Sequence, residues 1–100
     1  MAGPVVLINV FSVPKGKEEA LFTWWDQVKE NITKEPGFIS GKLHRSITND
    51  SRFQFINVAQ WESEDLYWKA YEKSVGPMKA KLAELQCEMT PALYQVAADY

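Results

Sequence analysis

Two stretches of this chain, Val5–Phe11 and Phe53–Trp61, carry apolar side chains on both of their alternating faces, and this limits what the chain can fold into. Successive side chains of a strand point to opposite sides. In the second stretch Phe53, Phe55, Asn57, Ala59 and Trp61 therefore share one face, and Gln54, Ile56, Val58 and Gln60 share the other. A strand of this kind belongs inside a sheet that is covered on both sides. Asn57 and Trp61 look the same way. A buried amide must be satisfied by protein, water or ligand, so Asn57 is either a member of a structural network or a pocket donor. Both readings are open at this level.

Punctuation and period supply the remaining elements. Val5–Phe11 is interrupted only by Asn9, and Val13-Pro14-Lys15-Gly16 ends it in a turn. Leu21, Trp24, Trp25, Val28 and Ile32 then recur at helical spacing, with Glu18 and Glu19 at the positive end of the dipole and Pro36-Gly37 closing the segment. Phe38–Ile47, of mixed polarity, and Arg52–Trp61 read as two strands joined through Thr48-Asn49-Asp50-Ser51. Ser63 caps a second helix that opens with Glu64 and Asp65 and breaks at Gly76-Pro77 before a shorter piece through Met78, Leu82 and Leu85. A last strand spans about Met89 to Ala98. The order strand, helix, strand, strand, helix, strand is the α+β, ferredoxin-like βαββαβ arrangement, an antiparallel sheet with both helices on one face. A single domain over residues 1–100 is expected. Two helices cover one face only, so a second copy is expected to pack on the other, giving a two-fold homodimer.

Charge and composition exclude several classes of function. A net charge of −2 and a pI near 5.4, with eleven scattered Lys and Arg, provide no basic field for nucleic acid or an anionic membrane. No apolar run approaches a membrane span, and Met1-Ala2-Gly3-Pro4 lacks the regions of a signal peptide, so a cytoplasmic location is expected. Cys87 is the sole cysteine, which excludes an internal disulfide and a thiolate metal cluster and suits a spectator thiol.

Three motifs in order, Asn9-Val10-Phe11-Ser12-Val13-Pro14-Lys15-Gly16, Pro36-Gly37-Phe38 and Phe55-Ile56-Asn57-Val58-Ala59-Gln60-Trp61-Glu62-Ser63, resemble the antibiotic biosynthesis monooxygenase family of dimeric α+β barrels across essentially the whole chain. In that family, members that oxidise polycyclic phenols and anthrones with molecular oxygen, without metal or flavin, use an Asn and a Trp four apart on the third strand and a Tyr six residues on. The resemblance thus implies Asn57, Trp61 and Tyr67 as catalytic residues, Asn9 as a pocket residue, and no cofactor or metal. Haem-degrading relatives place a Trp and an axial His where this chain has Ala70 and Ala80, so haem degradation is disfavoured, with Trp68 lying two positions from the expected Trp.

The chemistry suits those residues. An ionised phenol, or its carbanion tautomer, is electron-rich enough to pass an electron to oxygen unaided, so the protein needs a dry pocket and placed donors. Asn57 and Trp61 can donate to the oxygen where substrate charge develops, each worth roughly 3 kcal/mol in comparable sites, and Tyr67 can relay a proton. Phe22, Trp24, Trp25, Phe53 and Phe55 offer flat walls for a planar substrate. Each has a structural counterpart. Trp61 is equally a core anchor whose N–H finds a carbonyl, Asn9 and Asn57 can bond each other across adjacent strands, and Tyr67 can be a packing residue one turn from Tyr71. Trp24 and Trp25, about 100° apart on a helix, cannot both face the core squarely. His44 is a lone histidine of surface or edge type, and Arg45 and Lys81 suit a solvated face. Two functions follow: a cofactor-independent monooxygenase acting on a phenolic, quinol or anthrone-like aromatic, or a non-catalytic dimeric module that binds a small hydrophobic ligand.

Overall fold

The computed structural model describes residues 3–48 and 50–100. Its elements run β1 (Val5–Ser12), α1 (Glu18–Ile32), β2 (Phe38–Arg45), β3 (Phe55–Trp61), α2 (Glu64–Ala70), a π-helical turn (Tyr71–Val75), a 3-10 turn (Gly76–Met78), α3 (Lys79–Glu84) and β4 (Glu88–Tyr94). The four strands form one antiparallel sheet in the order β2-β3-β1-β4. This is the ferredoxin-like α+β architecture expected from the element order.

The two central strands pair in a register that sets Leu7 beside Ala59, Asn9 beside Asn57 and Phe11 beside Phe55. These side chains, with Trp61, face the helices. Leu7, Phe11, Phe55, Ala59 and Trp61 are all buried there, packed against Leu21, Trp24 and Val28 of α1 and Tyr67 and Ala70 of α2. Val6, Ile8 and Val10 of β1 and Ile56 and Val58 of β3 point the other way and are only half-buried. The outer sheet face is thus apolar at its centre, as the two-sided hydrophobicity requires.

Local chemistry explains where elements start and stop. Lys17 N–H donates to Pro14 O at 3.0 Å, closing the turn after β1, and Gly16 supplies its positive φ of 89°. The Ser63 hydroxyl accepts from Leu66 N–H at 3.2 Å, capping α2, whose first turn carries Glu64 and Asp65. The break expected at Gly76-Pro77 is prepared earlier. Gly76 N–H donates to Tyr71 O, five residues back, and the helix widens into a π turn before the 3-10 turn that carries Pro77.

Three strand limits differ from the sequence reading. β3 starts at Phe55 rather than Arg52 because the Gln54 side chain closes the hairpin base, accepting from Val13 N–H at 2.8 Å and donating to Ser51 O at 2.7 Å. β2 stops at Arg45 and β4 at Tyr94, leaving residues 95–100 without regular structure. Part of the expected Thr48–Ser51 loop, Asn49, lies outside the described residues.

Gly37 joins α1 to β2 with a φ of 98°, and an added Cβ there would sit 2.7 Å from Leu66 Cβ. Its carbonyl accepts from Glu62 N–H at 2.8 Å, tying this junction to the end of β3. Gly37→Ala is expected to cost about 2 kcal/mol or more, lowering the melting temperature by roughly 10 °C. A melt within a degree or two of wild type would show that the junction adapts freely.

Candidate active site

Between the helices and the inner sheet face lies an apolar cavity of about 110 Å³. β1 contributes Leu7, Asn9 and Phe11; β3 contributes Asn57 and Ala59; β4 contributes Met89. Trp24, Trp25, Val28 and Ile32 of α1 form the opposing wall, closed by Tyr67 and Val75. The exposed lining residues Thr33 and Gly41, with the half-exposed Lys29, mark its mouth between the end of α1 and edge strand β2. Gly41 leaves that side open, since a Cβ there would already stand 3.2 Å from Ala59 Cβ.

The polar groups of this cavity are unusually free. Asn9 is 93% buried, its Nδ2 donates to Met89 Sδ at 3.6 Å, and its Oδ1 has no partner. Asn57 is its cross-strand neighbour, yet the two amides do not bond each other, and the Asn57 side chain makes no hydrogen bond among the described residues. The network reading of this pair is therefore absent from the structure. Trp61 stands one packing layer behind the cavity wall. Its ring meets Phe38 and Tyr67 edge-on, each at 5.4 Å between centroids, and both of those rings line the cavity. The Trp61 Nε1–H is fully buried and finds no carbonyl. Leaving such a donor unpaired costs about 1–3 kcal/mol.

Trp24 provides the contrast. Its indole donates to Met78 O at 2.8 Å, and its ring packs edge-on against Phe11 at 6.2 Å, so it is a satisfied core residue that also forms a wall. Trp25 lines the cavity too, half-buried, with Lys29 Nζ 5.6 Å from its ring centroid. Lys29 pairs with Asp26 at 3.0 Å, and this partner raises the pKa of its ammonium, so the mouth carries a compensated ion pair.

The expected Phe walls are corrected. Phe22 points to solvent, 42% exposed, leaning on Trp25. Phe53 precedes β3, with the Arg52 guanidinium stacked over it at 5.5 Å, and Phe55 is buried in the core beside the Arg45 guanidinium. None of the three lines the cavity. Lys29, Gly41 and Met89 do, although the sequence reading did not select them. Lys29 lies one helical turn beyond Trp25 and was within reach of periodicity, whereas Met89 requires the β1–β4 register. His44 is exposed, its Nδ1 3.3 Å from Ile56 O. Arg45 pairs with Glu19 at 3.1 Å and Lys81 with Glu84 at 3.9 Å, both at the surface. Burial pushes the Cys87 thiol up, keeping it protonated. No group of three or more His, Cys, Asp or Glu gathers among the described residues, and no helix there is long and apolar enough to cross a membrane.

A small α+β domain with a mostly apolar cavity and a few unpaired polar groups presents a candidate small-molecule site. A family model for antibiotic biosynthesis monooxygenases matches residues 4–80, and the chain belongs to this family. A protein from Shewanella loihica PV-4, provisionally assigned as a monooxygenase, is similar at 38% identity over 99% of both chains, with a TM-score of 0.85. SnoaB, a cofactor-independent oxygenase from Streptomyces nogalater, shares the fold at 21% identity over 98% of this chain and 97% of its own, with a TM-score of 0.78. A Nitrosomonas europaea protein provisionally assigned to the same family matches at 17% identity over 97% and 93%, also with a TM-score of 0.78. Comparison with curated proteins finds no match.

Burial, and to a lesser degree the neighbouring Tyr71, raises the Tyr67 phenol well above its ordinary 10.0. The fold favours the neutral phenol, so the unfolded chain releases this proton first. Stability from Tyr67 is therefore complete below about pH 10 and drains away above it. Tyr67→Phe is expected to melt close to wild type at pH 7 and to lose less stability between pH 9.5 and 11.5. Parallel pH profiles for the two proteins would contradict this placement of the phenol.

Proposed function

We propose that this protein is a cofactor-independent monooxygenase that oxidises a phenolic, quinol or anthrone-like aromatic with molecular oxygen. The observation that carries this reading is the pair of unpaired polar groups, Asn57 and Asn9 Oδ1, on one mostly apolar, aromatic-walled cavity. Family membership supports an oxygenase role acting on a small substrate. The substrate is itself the reductant: its ionised form passes an electron to oxygen, and the resulting radicals combine into a hydroperoxide at the ring carbon. Loss of water then leaves a carbonyl, so one oxygen atom stays in the product and the other leaves as water.

The protein's part is placement and charge. Asn57 donates to the substrate oxygen as negative charge develops, which needs no reorganisation because its amide has no competing partner. Trp61, one layer behind the wall, supports the site by bracing the Phe38 and Tyr67 rings rather than by donating to the substrate. Tyr67, held neutral by its burial, acts as proton donor to the departing oxygen rather than as a base.

Oxygen uptake with hydroquinones and anthrones, measured against a no-protein blank with chelator present, tests this reading. Turnover is expected to survive chelation and to fall about 100-fold in Asn57→Ala, with a smaller loss in Trp61→Phe, both confirmed as folded. Absence of uptake over the panel would leave the non-catalytic ligand-binding module.

We further propose that the apolar outer face, centred on Val6, Ile8, Val10, Ile56 and Val58, is covered by a second copy across a two-fold axis. Light scattering should then give the mass of two 11.5 kDa chains. Val58→Lys is expected to shift the protein to monomer, and a monomeric wild type would refute the pairing.

A further inference from the structure

Asn9 keeps a strong, buried donor on a weak acceptor. Its side chain is 93% buried, and the one hydrogen bond it makes among the described residues runs from Nδ2 to Met89 Sδ at 3.6 Å. A thioether accepts only weakly, and Pro91, directly opposite Asn9 across the β1–β4 ladder, brings no polar side chain instead. Adding one oxygen to this sulfur changes the balance. Methionine sulfoxide is polar, and in a core it disrupts packing because its oxygen is buried without a donor. At Met89 the donor is already in place, within hydrogen-bond distance of the atom that would carry the oxygen. Met78 is the contrast: it packs against the core and its carbonyl accepts from Trp24, but its sulfur has no donor among the described residues.

Access comes from the side away from the cavity mouth. Met89 is half-buried, and besides the cavity it lines an open groove between α3 and β4, together with Tyr71, Leu82, Cys87 and Thr90. Cys87 does not compete for an oxidant there, because the reactive form is the thiolate and this buried thiol stays protonated.

We propose that Met89 is an oxidation site with the partner of its product built in: a hydroperoxide oxidises Sδ to the sulfoxide, and the new oxygen accepts from Asn9 Nδ2–H. A sulfur lone pair attacks the terminal O–H oxygen of the peroxide and the O–O bond breaks. The transferred oxygen gives up its proton to the departing one, which leaves as water or an alcohol. Sulfur loses two electrons and the peroxide gains them. One apolar corner of the cavity becomes polar and the Asn9 amide is held, without loss of the fold. The peroxide comes from solvent, so the site stands whether or not the cavity carries out oxygenation.

Hydrogen peroxide added to the folded protein tests this, with Met89 oxidation followed by peptide mass spectrometry and stability by thermal melts. Met89→Leu conserves volume and subtracts the effect of oxidation at the other methionines. Against that variant, oxidation of Met89 should leave the wild-type melting temperature within about 2 °C, whereas in the Asn9→Leu background the same oxygen is unpaired and the loss should be about 4 °C or more. A second readout needs no Asn9 variant. In protein labelled with nitrogen-15 asparagine and carbon-13 methionine methyls, the Asn9 amide, identified by its contact with the Met89 methyl, should move downfield on oxidation. The Asn31 amide, bonded to Gln27 O, should stay in place. Met89 left unoxidised would overturn the site. An equal loss of stability with and without Asn9, or an Asn9 amide that does not move, would overturn the pairing.

Discussion

The register between β1 and β3 is the constraint on which the rest of the structure depends. With Asn9 opposite Asn57, every second residue of both strands falls on the helix side, and Leu7, Phe11, Phe55, Ala59 and Trp61 are buried together. A slip of one residue would turn one strand over relative to the other, sending Val6 and Ile8, or Ile56 and Val58, inward and carrying one of the two amides to the outer face. The hydrophobic core and the polar set of the cavity are therefore fixed by the same ladder. The apolar outer face is the remainder of that choice, since strands apolar on both sides cannot be buried by two helices on one side.

Most buried polar groups around this core are satisfied, which gives meaning to those that are not. Trp24 donates to Met78 O, Gln54 closes the β2–β3 hairpin, and Ser63 caps α2. Against this background Asn9 Oδ1 and Trp61 Nε1 remain without partners, on strands in contact and on the same face. The π turn at Tyr71–Val75 belongs to the same arrangement. By widening the helix just after α2 it leaves Val75 on the cavity wall, while Tyr67, one element earlier, keeps its ring between Trp61 and Trp68.

The fold was largely legible because its signals are local. Alternation in Val5–Phe11 and Phe53–Trp61, the Pro36-Gly37 stop and the Ser63 cap each act through near neighbours in the chain. Boundaries set by distant contacts were not: the late start of β3 depends on Gln54 reaching Val13, forty-one residues away. The end of α3, expected near Leu85 and found at Glu84, was legible although its stop residue is unusual. Gln86 takes the positive-φ stop position that usually falls to glycine, held there by Cys87 N–H on Leu82 O at 3.0 Å. In the site, the shared direction of Asn57 and Trp61 follows from strand period alone. The side-chain pairing that decides their chemistry does not. Asn9 bonding Met89 instead of Asn57, and Phe22, Phe53 and Phe55 standing off the cavity, depend on packing that no spacing records.

The most direct measurement is the side-chain amide spectrum of protein labelled with nitrogen-15 asparagine, recorded under nitrogen with and without hydroquinone, the Asn57 signals being identified by their loss in Asn57→Ala. If the unpaired amide on the cavity wall serves the ligand, the Asn57 NH2 signals move downfield on saturation, while those of Asn31, exposed and bonded to Gln27 O, stay near their place. Asn57 signals that do not respond at saturation, with shifts confined to surface amides, would contradict the assignment of this cavity as the functional site.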